Sequence, residues 1–208
     1  MIIDEKERDS QQEAVGGRLC LEFANTVDNY HAEEAGDVLT SYAELVRWAS
    51  KAKILSEGEA ERLIEQAAVY PEEADAALRT AKELRATIYR IFSAIAADRI
   101  PADTDVARLN QAVAKILPHM QLGEYSGGFG WKWQGAEGVL DALLWPVIRS
   151  ATELLTTGEV QRTSECNGQN CTWLFIDESK NHSRKWCDME TCGNREKSRR
   201  HYARQCCS

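Results

Sequence analysis

Apolar residues recur three and four positions apart through most of residues 1–158, the spacing that gives a helix a single apolar stripe. Leu19, Phe23 and Val27 share such a stripe and predict a helix over 17–30, and Tyr42, Leu45, Val46 and Trp48 predict a second over 41–51. Ser56 followed by Glu59 reads as a capping box. It opens a third helix with Ala60, Leu63, Ile64, Ala67 and Ala68 on its apolar face, and Pro71 stops it. The longest periodic stretch, 72–97, carries Leu78, Ala81, Leu84, Ile88, Ile91, Phe92 and Ile95. After Pro101, Asp103 or Thr104 caps a further helix that runs to Leu117. These are elements of an antiparallel helical bundle.

The period changes at 120–134. Trp131-Lys132-Trp133-Gln134 alternates, and Ser126-Gly127-Gly128 supplies a turn, which predicts a β-hairpin with Trp131 and Trp133 on one face. Helical spacing returns from Glu137 to about Thr157, with a kink expected at Pro146 and a stop at Gly158. The domain boundary is placed there: a helical domain over 1–158 and a small module over 159–208. In that module Trp173-Leu174-Phe175-Ile176 has strand composition and 177–185 is turn-like. Residues 194–204 contain no Gly or Pro and read as a helix.

Four cysteines carry the chemistry. Cys166 and Cys171, then Cys187 and Cys192, form two pairs with the same four-residue gap and 15 residues between the pairs. Two chelating loops with this spacing can bring four thiolates around one Zn2+. A closed set of four thiolates leaves no coordination position for a reacting water, which disfavours a catalytic zinc. The remaining segment has too little core to fold alone, so the metal is expected to supply much of its folding free energy. Chelation is expected to unfold it and leave the helical body intact. Trp173, Phe175 and Trp186 are expected to form a mini-core around the ion. The fold class expected is mainly α, a helical bundle with a small β-hairpin and a treble-clef-like four-cysteine finger at its C-terminal side.

The run Cys166-x4-Cys171-x-Trp173-Leu174-Phe175-x-Asp177, followed by Arg184-x-Trp186-Cys187-x4-Cys192-Gly193-Asn194-Arg195-x-Lys197, resembles the CGNR zinc finger. Gly17 to Thr26, Gly-Arg-Leu-Cys-Leu-Glu-Phe-Ala-Asn-Thr, resembles the opening motif of the ABATE domain, which precedes that finger in its family and is described as a stress-induced transcription regulator. The resemblance implies a DNA-binding regulator with a helical sensor or regulatory domain.

Charge sharpens this picture. The net charge of −8 divides into +3 over 161–208 and −11 over the rest, so contact with nucleic acid must be confined to the finger and be sensitive to salt. Lys197, Arg200 and Arg204 fall on one stripe of the last helix and are the first candidates for phosphate. Arg199, Arg184 and Lys185 are further candidates. Arg195, with Asn194, lies one turn from the metal and is expected to support the cysteine loops by hydrogen bonds. A dimer or tandem sites would strengthen the grip of one small finger.

In the helical part, Glu22 and Asn25 are candidates to line a pocket for a small-molecule effector, with Trp131 and Trp133 as an aromatic platform. The alternative for the first pair is capping or backbone bonds in the core, and for the second, packing of the hairpin on the bundle. No phosphate loop or zinc-hydrolase motif occurs, so an enzyme is not expected. No run approaches the length of a membrane span, no secretory leader is evident and seven cysteines are an odd number, which together suggest a cytoplasmic protein. A second functional reading, a zinc-dependent adaptor that docks a protein partner, stands beside DNA binding.

Overall fold

The structure, a computed structural model, describes residues 15–125 and 127–199. Its helices are α1 (Leu19–Ala24), α2 (Tyr42–Lys51), α3 (Glu57–Val69), α4 (Pro71–Ala96), α5 (Asp103–Ile116), α6 (Trp145–Thr156) and α7 (194–199). Two antiparallel pairs, β1 (Met120–Tyr125) with β2 (Gly128–Trp133) and β3 (Thr163–Glu165) with β4 (Leu174–Ile176), complete it.

Local signals account for most boundaries. Ser41 accepts the Glu44 N–H and starts α2. The Ser56–Glu59 capping box starts α3, which ends at Val69 because Pro71 then opens α4 at its first turn. Proline tolerates that position because the first helical N–H groups have no intrahelical partner. Pro146 behaves in the same way: the chain makes a short 3-10 turn at Ala142–Leu144, and Pro146 sits in the first turn of α6. No helix runs through it, so the kink expected there does not arise.

The first helix departs most from its periodicity, since α1 covers only Leu19–Ala24 of the 17–30 expected. It stops where its next residues are claimed by tertiary bonds. The Asn25 side-chain amide donates to the Leu174 carbonyl at 2.8 Å, and its carbonyl accepts the Leu174 N–H at 2.8 Å. Thr26 Oγ1 receives Arg85 Nη1 at 2.9 Å. The loop beyond Thr26 is held by Val27, which bridges Asp37, and by the Arg85 guanidinium, which meets both Asp37 oxygens at 2.6 and 2.8 Å. Partial burial opposes ionisation of Asp37. The Arg85 bonds, the Leu39 N–H and the Lys82 charge outweigh it and hold the carboxyl at about 2.

The core is built from α1, α4 and α6, with Leu21, Phe23, Ile88, Ile91, Phe92, Leu143, Leu144 and Leu154 fully buried. It does not end at residue 158. Val160, Leu174 and Ile176 belong to the same cluster, so the β3–β4 hairpin is part of the helical body's core. Phe175, between them on β4, points the other way and packs with Cys166, Cys187 and Cys192 in a second cluster. Alternation along a strand puts neighbours on opposite faces. Because β4 has a core on each face, all three of its residues are buried.

The docking of this hairpin is dense with backbone bonds. Ile176 N–H donates to the Gly16 carbonyl at 3.1 Å, Thr172 N–H to Asp28 at 3.3 Å, and Trp173 Nε1 to the Val27 carbonyl at 3.1 Å. Gly17 has φ +74°, a left-handed conformation that glycine adopts without steric cost, and it turns the chain so that Gly16 faces β4. Glu165 of β3 accepts hydrogen bonds from Ser93 at 2.6 Å and Tyr89 at 3.2 Å on α4.

Two outcomes follow. Asn25→Ala would leave both buried backbone groups of Leu174 unpaired, at a cost of about 1–3 kcal/mol each before relaxation. Urea denaturation followed by circular dichroism should show a loss of about 2–4 kcal/mol, with an accompanying fall in metal affinity. Chelation of the metal should lower the melting temperature of the helical signal as a whole, because β4 belongs to both cores. An unchanged helical transition in the chelated protein would show that the hairpin stays docked without its ion.

Candidate metal centre

The four cysteines come from three short pieces of chain. Cys166 follows β3 directly, and its N–H donates to the Trp173 carbonyl at 2.9 Å, so the first loop is the tip of the β3–β4 hairpin. Cys187 follows the loop that returns from β4. Cys192 lies in a single π-helical turn, Met189–Gly193, that leads into α7. Asp188 caps this turn by accepting Thr191 N–H at 2.7 Å and its hydroxyl at 2.8 Å. A π turn is a local widening often found at functional positions. Here it sets Cys192 toward the other three thiols.

The thiols of Cys166, Cys171, Cys187 and Cys192 all lie within 4.8 Å of one another. Cys171 and Cys187 sulfurs are 3.7 Å apart, and Cys187 and Cys192 sulfurs 3.6 Å apart. A tetrahedron with metal–sulfur bonds of about 2.3 Å has edges of about 3.8 Å, so the set fits one ion. Zinc suits four thiolates because it is borderline-soft and imposes no geometry of its own.

Cys166 Sγ also accepts the N–H groups of Cys187 at 3.3 Å and Gly168 at 3.4 Å. Hydrogen bonds from the Cys171 and Cys187 thiols, aided by these backbone donors, hold the Cys166 thiol well below the ordinary range. Its bond to Cys166 pushes the Cys171 thiol up. Gly168 lies so close that a Cβ there would meet Cys171 Cβ at 3.2 Å and the Cys192 and Cys166 sulfurs at 3.3 and 3.4 Å. Those neighbours are fixed by the cluster, so a side chain at 168 would push on the ligands themselves.

The profile of the ABATE family, described as "Putative stress-induced transcription regulator", matches residues 17–158. The chain belongs to the ABATE family. A second profile, the CGNR zinc finger, matches residues 162–205. No curated protein matches the chain. The ABATE match and the finger match abut in sequence, yet in space the finger's hairpin is packed into the ABATE core. No helix among the described residues is long and apolar enough to cross a membrane.

The arginines of the finger are placed differently from expectation. Arg184, expected on the nucleic-acid surface, lies against the Phe175 ring at 4.3 Å. Its guanidinium donates to the carbonyls of Trp186 at 3.0 Å, of Ile176 at 3.5 Å, and of Cys187. It therefore ties the approach to the second cysteine pair to the end of β4. Asp177 completes the loop, accepting the N–H groups of Ser179 at 2.8 Å and Arg184 at 2.9 Å. Arg195, expected to do this supporting work, is exposed and has no hydrogen-bond or ion-pair partner among the described residues. Asn194 is exposed as well.

Arg199 is engaged in a different way. It makes a two-pronged pair with the buried Glu196 at 2.9 and 3.0 Å and reaches Gln169 Oε1 at 3.1 Å. Lys185 and Lys197 are exposed. Arg200 and Arg204 lie outside the described residues. Sequence reading missed Asp188 and Gln169; the only signal was their place inside the two cysteine gaps.

The ABATE residues considered for a pocket are occupied. Glu22 accepts the Gly16 N–H, and Asn25 clamps Leu174. Trp133 packs against Trp145 at 5.6 Å and roots the β1–β2 hairpin on the body, whereas Trp131, two pairs further out, is 45% exposed. Cys20 is fully buried, and burial pushes its thiol up to about 12, as expected of an inert core residue.

Partners that orient metal ligands typically contribute about 10- to 100-fold to metal affinity. Arg184→Ala should lose affinity in that range in competition with a chromogenic zinc chelator, while Arg195→Ala should change it by less than about threefold. Equal losses in the two variants would return the supporting role to both arginines.

Proposed function

We propose that this ABATE protein is a DNA-binding transcription regulator in which the CGNR finger, folded around one zinc ion, meets nucleic acid, and the helical part, residues 1–158, is the sensor or regulatory side. The four-thiol cluster supports a structural ion, because four protein ligands fill a tetrahedral zinc and leave no place for substrate or water. An enzyme is not proposed. The observation that carries the reading is the distribution of unpaired cations. Lys180, Lys185, Arg195 and Lys197 of the finger are exposed without a carboxylate partner among the described residues, on a chain whose remainder is strongly acidic. An acidic body repels DNA and leaves the finger as the one favourable approach. Lys197 remains the first candidate for phosphate, with Arg200, Arg204 and Lys185.

This function places the protein in the cytoplasm, and a homodimer would give one finger the avidity it lacks. The stress-responsive role and the effector are part of the proposal. The protein-adaptor reading has one observation in its favour, a groove of about 440 Å³ lined by Trp186, Lys185 and the half-exposed Met189 beside the second cysteine pair.

Binding of the zinc-loaded protein to duplex DNA, measured by fluorescence anisotropy from 50 to 300 mM salt, decides between them. Each phosphate contact should contribute about 0.9 to the slope of log affinity against log salt. Lys197→Ala should lower that slope by about one and weaken all sequences alike, with the zinc retained. Absence of any salt-dependent binding would favour the adaptor.

A further inference from the structure

Between the first cysteine loop and α7 lies a cleft of about 160 Å³ lined by Gln169, Asn170, Arg195, Glu196 and Arg199, with Cys171 and Cys192 of the metal set also on its wall. The two sulfurs are committed to the metal set, and the groups left on the outer walls are mostly donors. Gln169 spends its carbonyl oxygen on Arg199, which turns its amide NH2 outward as a donor. Asn170 is exposed beside it. The one carboxylate on the wall, Glu196, is buried and held in a two-pronged pair by Arg199, so its charge is already met. Arg195 brings a guanidinium with no partner among the described residues.

We propose that this cleft is a phosphate site of the finger, in which Arg195 supplies the charge and Gln169 and Asn170 supply neutral donors to one backbone phosphate of a nucleic acid. The inference rests on the DNA-binding reading, which counts Arg195 among the exposed cations of the finger, and gives that residue a defined phosphate contact with two neutral partners. A guanidinium presents two parallel N–H donors that match two oxygens of one phosphate, and amide donors on the opposite wall can take the others.

The competing use of Arg195 is to offset the charge of the thiolates nearby. Two facts oppose it. The sulfur of Cys166 is served by the backbone N–H groups of Gly168 and Cys187, and Arg195 makes no hydrogen bond to any sulfur. Arg184 already does the work of holding the second cysteine pair.

The site predicts a pattern that a general loss of folding would not produce. With the zinc-loaded full chain and a fluorescein-labelled 20-base-pair duplex, Arg195→Ala should weaken binding about tenfold and reduce the salt slope by about 0.9, since one phosphate contact is lost. Asn170→Ala should weaken it about threefold to fivefold and leave the slope unchanged, because a neutral donor releases no counterion. Arg195→Lys should keep the slope and recover only part of the affinity. Zinc content and far-UV circular dichroism should be unchanged in all three.

If the wild type binds with a normal slope and Arg195→Ala does not alter it, the site falls while the DNA reading stands. A lowered zinc affinity in Arg195→Ala, with unaltered DNA binding by the zinc-loaded fraction, assigns the residue to the metal and overturns the site. A wild type that shows no salt-dependent binding removes the DNA reading, and the site with it.

Discussion

The structure depends on a three-residue strand that serves two cores. Leu174 and Ile176 fill the helical core, Phe175 fills the metal-side cluster, and the backbone of Leu174 is fastened from both directions by the Asn25 amide. A strand this short has little pairing energy of its own, with β3 as its one partner strand among the described residues. Its position is therefore set by what it buries on each face and by the side chain that replaces a missing ladder neighbour. The opening motif of the ABATE domain can be understood in these terms. Gly17 makes the turn that lets Gly16 offer its carbonyl to Ile176, Glu22 holds that turn through the Gly16 N–H, and Asn25 closes on Leu174. The motif is the receptor for the finger.

The arginines of the finger divide labour by geometry more than by position in the sequence. Arg184 can bond to three carbonyls and stack on Phe175 because a guanidinium is planar and carries donors along its whole edge. Lysine in that place would lose both the stacking and most of the bonds. Arg199 faces Glu196 across one helical turn and is neutralised by it. Among the described residues, Arg195 and the exposed lysines are cations of the finger that the fold has not used. Counting basic residues in the finger thus overstates the surface available to an anion.

How much of this could be read from sequence varies with the range of the interaction. Capping and proline signals act within one turn, so the Ser56 box and the Pro71 break were legible. Pro146 was misread because the periodicity of Leu140, Leu143 and Leu144 continues through a 3-10 turn before the true helix, and periodicity alone cannot tell the two apart. The helix at 17–30 was overextended for a different reason: Leu19, Phe23 and Val27 do share a stripe, but Asn25 and Thr26 are bound by partners 149 and 59 residues away. The cysteine set was plain because chelate spacing is itself local. The support that Arg184 gives the second cysteine pair was not, since Arg184 and Arg195 both lie close to a cysteine in sequence and only the path of the loop decides which one points at carbonyls.

The shared strand has a thermodynamic consequence for regulation. If metal binding orders the cluster around Phe175, and Phe175 cannot move independently of Leu174 and Ile176, then the free energy of metal binding and that of the helical core are coupled. Such coupling is reciprocal: whatever stabilises the docked hairpin from the body side raises metal affinity by the same factor that the metal raises the stability of docking. The contacts through which the body could act are already specific. Glu165 of β3 is held by Ser93 and Tyr89 of α4, and Thr172 Oγ1 receives the Tyr30 N–H from a loop whose far end is fixed by Asp37 and Arg85. A change in the packing of α4 would reach the first cysteine through Glu165, its neighbour in the chain. The finger is therefore built as an extension of the body, and a change in the body's packing needs no separate hinge to reach the four cysteines.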